Sequence, residues 1–191
     1  EVVFDRITSK TADDTFHFVF AGNIGAIQSV ETLIRAAQLL KDEPVKIHIV
    51  GGGTDLDRLQ NLSRGMDNVI FYGRRSIADM PMFYAMADAM IVTLADDPVL
   101  SMTLPGKVQS YMAAGKPIIG AIDGETKRII QDAQCGFCGK AKDAKELADN
   151  IKRFIKDNNK KSMGSNALKF YQEHFQKEHF MNQLESKLTV M

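Results

Sequence analysis

The chain has 191 residues, 45% hydrophobic and 25% charged, which is enough apolar content for a sizeable core beneath a charged surface. Its 24 Lys and Arg balance 24 Asp and Glu, so it carries no electrostatic footprint for nucleic acid or an acidic membrane. No apolar run approaches the roughly 20 residues of a membrane-spanning helix, and Glu1-Val-Val-Phe-Asp-Arg6 lacks the pattern of a secretion signal. With no methionine at position 1, the chain is expected to be a piece of something longer.

Residues 1–14 are polar and irregular and read as a linker or tail. Phe16–Ala21 is rich in β-formers and predicts a first strand, closed by a turn at Gly22–Gly25. From Ile27 the apolar positions Val30, Leu33, Ile34, Ala37 and Leu40 repeat at helical spacing until Pro44. Val45–Val50 is a second strand running into Gly51-Gly-Gly53, after which Thr54 is expected to cap a helix carrying Leu56, Leu59 and Leu62. Asn68–Gly73 is a third strand, Ser76 caps the next helix, and Met90–Leu94 is a fourth strand, followed by a loop over Ala95–Leu104. Pro105 is placed to open a short helix that Gly115 ends, because proline suits a first helical position. A fifth strand covers Pro117–Ala121 and a helix runs from about Gly124 to Ala133, with Gly136 as its stop. A short strand near Phe137–Gly139 and an amphipathic helix marked by Leu147, Ala148, Ile151, Phe154 and Ile155 follow. Residues 160–188 read as polar helix.

Six short strands alternating with helices call for a Rossmann-like parallel α/β sheet covered on both faces, with a helical extension at the C-terminal end. Ligands of such sheets sit outside the carboxyl ends of the strands, where the strand order switches. The glycine or polar loops Gly22–Gly25, Gly51–Gly53, Gly73–Arg75, Ala95–Leu104 and Ile122–Glu125 all fall on that edge. One glycine turn is ordinary; several on one edge point to a nucleotide or phosphate site. The dinucleotide fingerprint is missing after both of the first two strands, and so is a P-loop lysine, which disfavours NAD enzymes and P-loop NTPases. Asp96-Asp97 follow a strand as in receiver domains, but Gly22-Asn23 stands where such a domain needs an acidic pair.

Other chemistry is sparse. Cys135 and Cys138 form a lone C-x-x-C and read as small semi-buried thiols, since one pair cannot complete a zinc site. His17 and His48 lie within apolar strands and read as core histidines whose hydrogen bonds are met. The stretch Ser101–Pro117 holds the most concentrated signal. The N–H groups near Gly106 and Lys107 open a helix, whose N-terminus suits an anion, and Lys107 adds a full charge there. An ordinary capped helix with a surface lysine explains this stretch equally well on its own.

Taken together, Ala21-Gly-Asn-Ile-Gly25, Ile49-Val-Gly-Gly-Gly53, Asn68–Gly73, Tyr84-Ala-Met-Ala-Asp-Ala89 and Pro105–Pro117 occur in an order and at intervals that resemble the C-terminal half of group 1 glycosyltransferases (family 4, GT-B fold). The likeness spans about residues 15–190 and is nearest to bacterial enzymes of O-antigen and capsule assembly. It implies a nucleotide-sugar-binding unit over 15–158 and C-terminal helices over 159–191 that pack back toward an absent N-terminal, acceptor-binding half. It also implies a UDP-sugar as substrate, transfer with retention, no cofactor or metal, and no nucleic acid partner. The setting would be cytoplasmic, with peripheral contact to the membrane or a lipid-linked acceptor in the full protein.

By the same likeness Gly22, Asn23 and Gly25 border the diphosphate, and Gly52, Arg74 and Arg75 border the base. Thr103, Leu104, Gly106 and Lys107 meet the phosphates and sugar, and no catalytic residue is assigned. The pattern departs where many members carry an Arg and a Lys for the diphosphate, since Asn23 and Gln28 stand there. It departs again at the paired glutamates, which become Met102 and, at the ribose position, Ser110. Weak donor binding by the isolated half is therefore expected. Two rivals share the fold: a non-catalytic sugar-nucleotide sensor or scaffold, and a UDP-sugar 2-epimerase. The epimerase would need a histidine on the ligand-side loops, and none is there.

Overall fold

The computed structural model describes residues 15–176. The expected tail at 1–14 and the last part of the C-terminal helical stretch lie outside the described residues. The elements are β1 (Phe16–Ala21), a 3-10 turn (Ala26–Gln28), α1 (Val30–Leu39), β2 (Val45–Val50), α2 (Leu56–Leu62) and β3 (Val69–Gly73). A second 3-10 turn (Ile77–Asp79), α3 (Met80–Met86), β4 (Ala89–Thr93), α4 (Pro98–Ser101) and α5 (Gly106–Ala113) follow. The chain continues through β5 (Ile118–Ala121), α6 (Gly124–Asp132), β6 (Gly136–Gly139), α7 (Ala144–Lys156) and α8 (Lys160–His174).

The six strands form one parallel sheet in the order β3-β2-β1-β4-β5-β6, so the chain steps outward from β1 on one side, then returns to its other side. The expected Rossmann-like sheet is what forms, and its switch point lies between β1 and β4. The strands are nearly continuous apolar runs because both faces are covered. On one face α1, α2 and α7 set Leu33, Ile34, Leu59, Leu147, Ile151 and Phe154 against Phe18, Phe20, Ile47, Ile49 and Ile91. On the other, α3, α5 and α6 set Phe83, Val108, Tyr111, Met112, Ile129 and Ile130 against Val19, Val50, Met90 and Val92. Helix α8 comes close to α5 because two glycines meet: a side chain at Gly164 would stand 2.5 Å from the Gly115 carbonyl.

Four local expectations need correction. Asp55, not Thr54, is the N-cap of α2, because the Asp55 N–H is taken by the Ile24 carbonyl and turns the chain there. Pro105 is the N-cap of α5 in extended conformation, not its first helical residue. The loop between β4 and α5 contains α4, nucleated by Asp97, whose carboxylate accepts from Val99 and Leu100 N–H. The left-handed residue that stops α6 is Gln134 (φ 49°), while Gly136 opens β6 against the Ile118 backbone, where a Cβ would stand 1.7 Å from the Ile118 oxygen. Ser76 does act as a cap, at the 3-10 turn that runs into α3, where its N–H and hydroxyl both donate to the Asp79 carboxylate.

Candidate nucleotide site at the switch point

The loops after β1, β2 and β3 are stitched together through their backbones. Gly22 N–H donates to the Val50 carbonyl (2.9 Å), Ile24 N–H to Gly52 (3.0 Å), and Gly51 N–H to Gly73 (2.9 Å). These approaches need residues without Cβ. A side chain at Gly51 would stand 1.8 Å from the Gly22 carbonyl, and Gly51 also has φ +146°. The Asn23 side chain lies across the neighbouring turn, its Nδ2 3.1 Å and its Oδ1 2.8 Å from where Cβ atoms on Gly25 and Gly53 would be. Asn23 thus closes one glycine loop on the next.

From the other side of the switch point comes α5. Tyr111 anchors it: its hydroxyl donates to the Ala21 carbonyl (2.9 Å) and accepts from Ala21 N–H (3.1 Å). One turn earlier, Lys107 extends over the Phe20 ring, its Nζ 4.1 Å from the centroid. It donates to the Gln28 side-chain oxygen and lies against Gly22, where a Cβ would be 2.6 Å from Nζ. Burial pushes the Lys107 ammonium down to about 8, and no carboxylate among the described residues pairs with it. A charge held out of water without a counter-charge is costly, so this corner is electrostatically prepared for an anion. The first N–H groups of α5, at Gly106 and Lys107, have no intrahelical acceptor and add their dipole to the same corner.

The remaining expected residues distribute less evenly. Gly52 lies beside Arg74, whose side chain begins 3.7 Å from where a Gly52 Cβ would be. Arg75 is turned back and donates to the Tyr72 carbonyl (3.1 Å). The Thr103 hydroxyl serves the Leu100 carbonyl (2.8 Å), and the Thr103 carbonyl accepts from Thr126 (3.0 Å). Leu104 packs into the core on the α5 side. Ser110 spends its hydroxyl on the Gly106 carbonyl of its own helix (3.3 Å). Where the resemblance implies a lysine at position 28, the structure brings the ammonium of Lys107 onto the Gln28 amide instead. That pairing joins residues 79 positions apart, so no local pattern announces it. Nothing in the sequence marks Phe20 and Tyr111 as the floor and anchor of this corner.

The histidines lie elsewhere. His17 Nδ1 is 2.9 Å from His48 Nε2, and His48 Nδ1 is 2.8 Å from the Tyr72 hydroxyl, so both rings have partners, as expected. Among the described residues no group of His, Cys, Asp and Glu could hold a metal ion, and no helix is long and apolar enough to cross a membrane.

The sequence profile of the family described as "Glycosyl transferases group 1" matches residues 4–170. The chain belongs to the group 1 glycosyltransferases. Among curated relatives it is 30% identical over 124 residues to a probable glycosyltransferase, WbjE, of Pseudomonas aeruginosa, covering 63% of this chain and 31% of that protein. It is 33% identical over 99 residues to a putative colanic acid biosynthesis glycosyl transferase, WcaI, of Escherichia coli K12, covering 51% of this chain and 24% of WcaI. The chain therefore spans about a third or less of the length of these two relatives. Among solved structures, Anabaena Alr3699/HepE in complex with UDP and glucose superposes with a TM-score of 0.76 at 22% identity, covering 98% of this chain and 52% of that one. The C-terminal domain of a group 1 family protein, LpcC, from Francisella tularensis superposes at 0.71 with 22% identity, covering 85% and 87%. This group 1 chain thus has the fold of a glycosyltransferase half.

Proposed function

We propose that this chain is the nucleotide-sugar-binding half of a glycosyltransferase that takes a sugar from a UDP-sugar and passes it, with retention, to a glycan or lipid-linked acceptor of a bacterial surface polysaccharide. The observation that carries this reading is the Lys107 ammonium, partly buried without an acidic partner at the start of α5 beside the switch point. A nucleoside diphosphate supplies the missing counter-charge. Gly22 and Gly25 let its phosphates approach the backbone, and Gly52 and Arg74 border the base. A relative named for colanic acid biosynthesis and a fold neighbour holding UDP support the same reading.

In such a transfer the sugar–oxygen bond breaks and negative charge grows on the departing diphosphate. Lys107 and the α5 amides are fixed where that charge develops, so they stabilise it without a proton transfer. A second half of the protein supplies the acceptor site. Two features support this: the chain covers only 52% of the HepE chain, and Ile27, Ile77, Val99 and Met102 leave apolar side chains exposed along the loops of this edge. The test is calorimetric titration with UDP, GDP and NAD. UDP binding that is lost in Lys107→Ala supports the reading; NAD binding, or UDP binding indifferent to Lys107→Ala, refutes it.

A further inference from the structure

Lys107 has a long, flexible side chain, and the group that accepts a hydrogen bond from its ammonium lies on the far side of the site. We propose that Gln28 is the positioning residue of the anion site: its amide oxygen fixes the Lys107 ammonium beneath Gly22, so that a nucleoside diphosphate meets the charge already in place. This rests on the reading above that Lys107 faces the diphosphate.

Gln28 is itself tied at both of its backbone polar groups. Its N–H donates to the Gly25 carbonyl (3.0 Å) and its own carbonyl accepts from the Thr93 hydroxyl (2.5 Å), a bond across the switch point from β4. Ala95 N–H adds a second tie across the same gap, to the Ile27 carbonyl (2.8 Å). The next residue, Ser29, sits in the left-handed region (φ 46°), its hydroxyl bonded to that of Thr32 (2.9 Å). A non-glycine residue keeps that conformation only where its surroundings enforce it. The Gln28 backbone is therefore held at both of its polar groups, and its side chain reaches the Lys107 ammonium from an anchored base.

What it accepts from is chemically specific. The lysine stem and ammonium lie over Phe20, which offers attraction but no hydrogen-bond acceptor. Gln28 takes one N–H of the ammonium and leaves the others for a ligand. A carboxylate at position 28 would hold the lysine as well but would neutralise it and repel phosphate. The neutral amide orients the charge without spending it, and the side-chain freedom of Lys107 is lost before the ligand arrives. Phe20 from β1, and Gly22 and Gln28 from the β1–α1 connection, lie against the Lys107 ammonium and carry no charge at neutral pH. The depressed lysine titration, near 8, follows from burial alone.

The test measures UDP affinity of the full chain by calorimetry between pH 7 and 9.5, with Gln28→Met, Gln28→Glu and Lys107→Ala. Wild-type affinity should decline above about pH 8 as the ammonium loses its proton. Gln28→Met keeps the length and removes the acceptor, so affinity at pH 7 should fall about tenfold and the decline should begin at lower pH. Gln28→Glu should also bind UDP more weakly at pH 7, but its decline should move to higher pH. Opposite shifts of the pH midpoint are an outcome that a merely structural role for Gln28 does not produce. Wild-type affinity and midpoint in both Gln28 variants would overturn the positioning role; if Lys107→Ala still abolished binding, the functional reading would stand without it. UDP binding unchanged in Lys107→Ala would overturn both. Should Gln28→Met fail to fold, the direction of the shift in Gln28→Glu decides the matter.

Discussion

The Tyr111 hydroxyl meets both backbone polar groups of Ala21, donating to the carbonyl at 2.9 Å and accepting from the N–H at 3.1 Å. The pairing explains how the sheet survives its own switch point. Strand β1 is paired with β4 only through Phe18 with Ala89 and Val19 with Met90, so Ala21 faces a gap where a ladder partner would be. Tyr111 fills that gap with one hydroxyl and fixes α5 to the end of β1. The start of α5 is thereby held in register with the glycine loops.

Tyr111→Phe removes both bonds while keeping the buried ring, leaving two backbone groups of Ala21 without partners. Unmade hydrogen bonds in the interior are expensive, so the variant should lose about 2–4 kcal/mol of stability. A urea unfolding midpoint equal to wild type would refute the bridge.

Gly51→Ala should be far more harmful than Gly65→Ala, although both positions have positive φ. The added methyl at 51 meets the Gly22 carbonyl at 1.8 Å, whereas at 65 nothing lies within 4 Å. The expected loss is on the order of 3 kcal/mol or more at 51 and about 1 kcal/mol at 65. Thermal unfolding of the two variants side by side checks the ranking.

Burial pushes His48 down to about 3 from an ordinary value near 6.5. The unfolded chain takes up a proton below 6.5 that the folded chain refuses until about 3. The resulting stabilisation is complete above 6.5 and is lost as pH falls from 6.5 toward 3. The slope approaches about 1.4 kcal/mol per pH unit. Between pH 6.5 and 5, before carboxylates titrate, urea midpoints of the wild type should fall, and those of His48→Gln should fall less.

Cys135 and Cys138 are free thiols, and burial pushes both up to about 12. Thiolate, the reactive form, is then scarce at pH 8. Native protein should react with a thiol-specific colorimetric reagent many times more slowly than protein in denaturant. Rapid labelling of the native state would contradict this.

The fold was legible in the sequence because its elements are short and sharply punctuated. Apolar strands ending at Gly22, Gly51 and Gly73, each followed by helical periodicity, allow few arrangements other than a parallel sheet. Boundaries were misread where a long-range contact chose them. Asp55 replaces Thr54 as a cap because the Ile24 carbonyl claims its N–H, and Gly136 belongs to β6 because only glycine fits against Ile118.

The sequence alone determined the sheet, the ligand edge and the family likeness, since repeating local patterns and ordered motifs carry that information along the chain. It also picked out Lys107 at the start of a helix. Tertiary structure alone decided where the Lys107 ammonium lies. Its partner Gln28, the Phe20 ring beneath it, and the Tyr111–Ala21 bond that places its helix all join residues scores of positions apart. Hydrogen bonds and desolvation depend on distances in space, and the strand order that sets β1 beside β4 creates those distances.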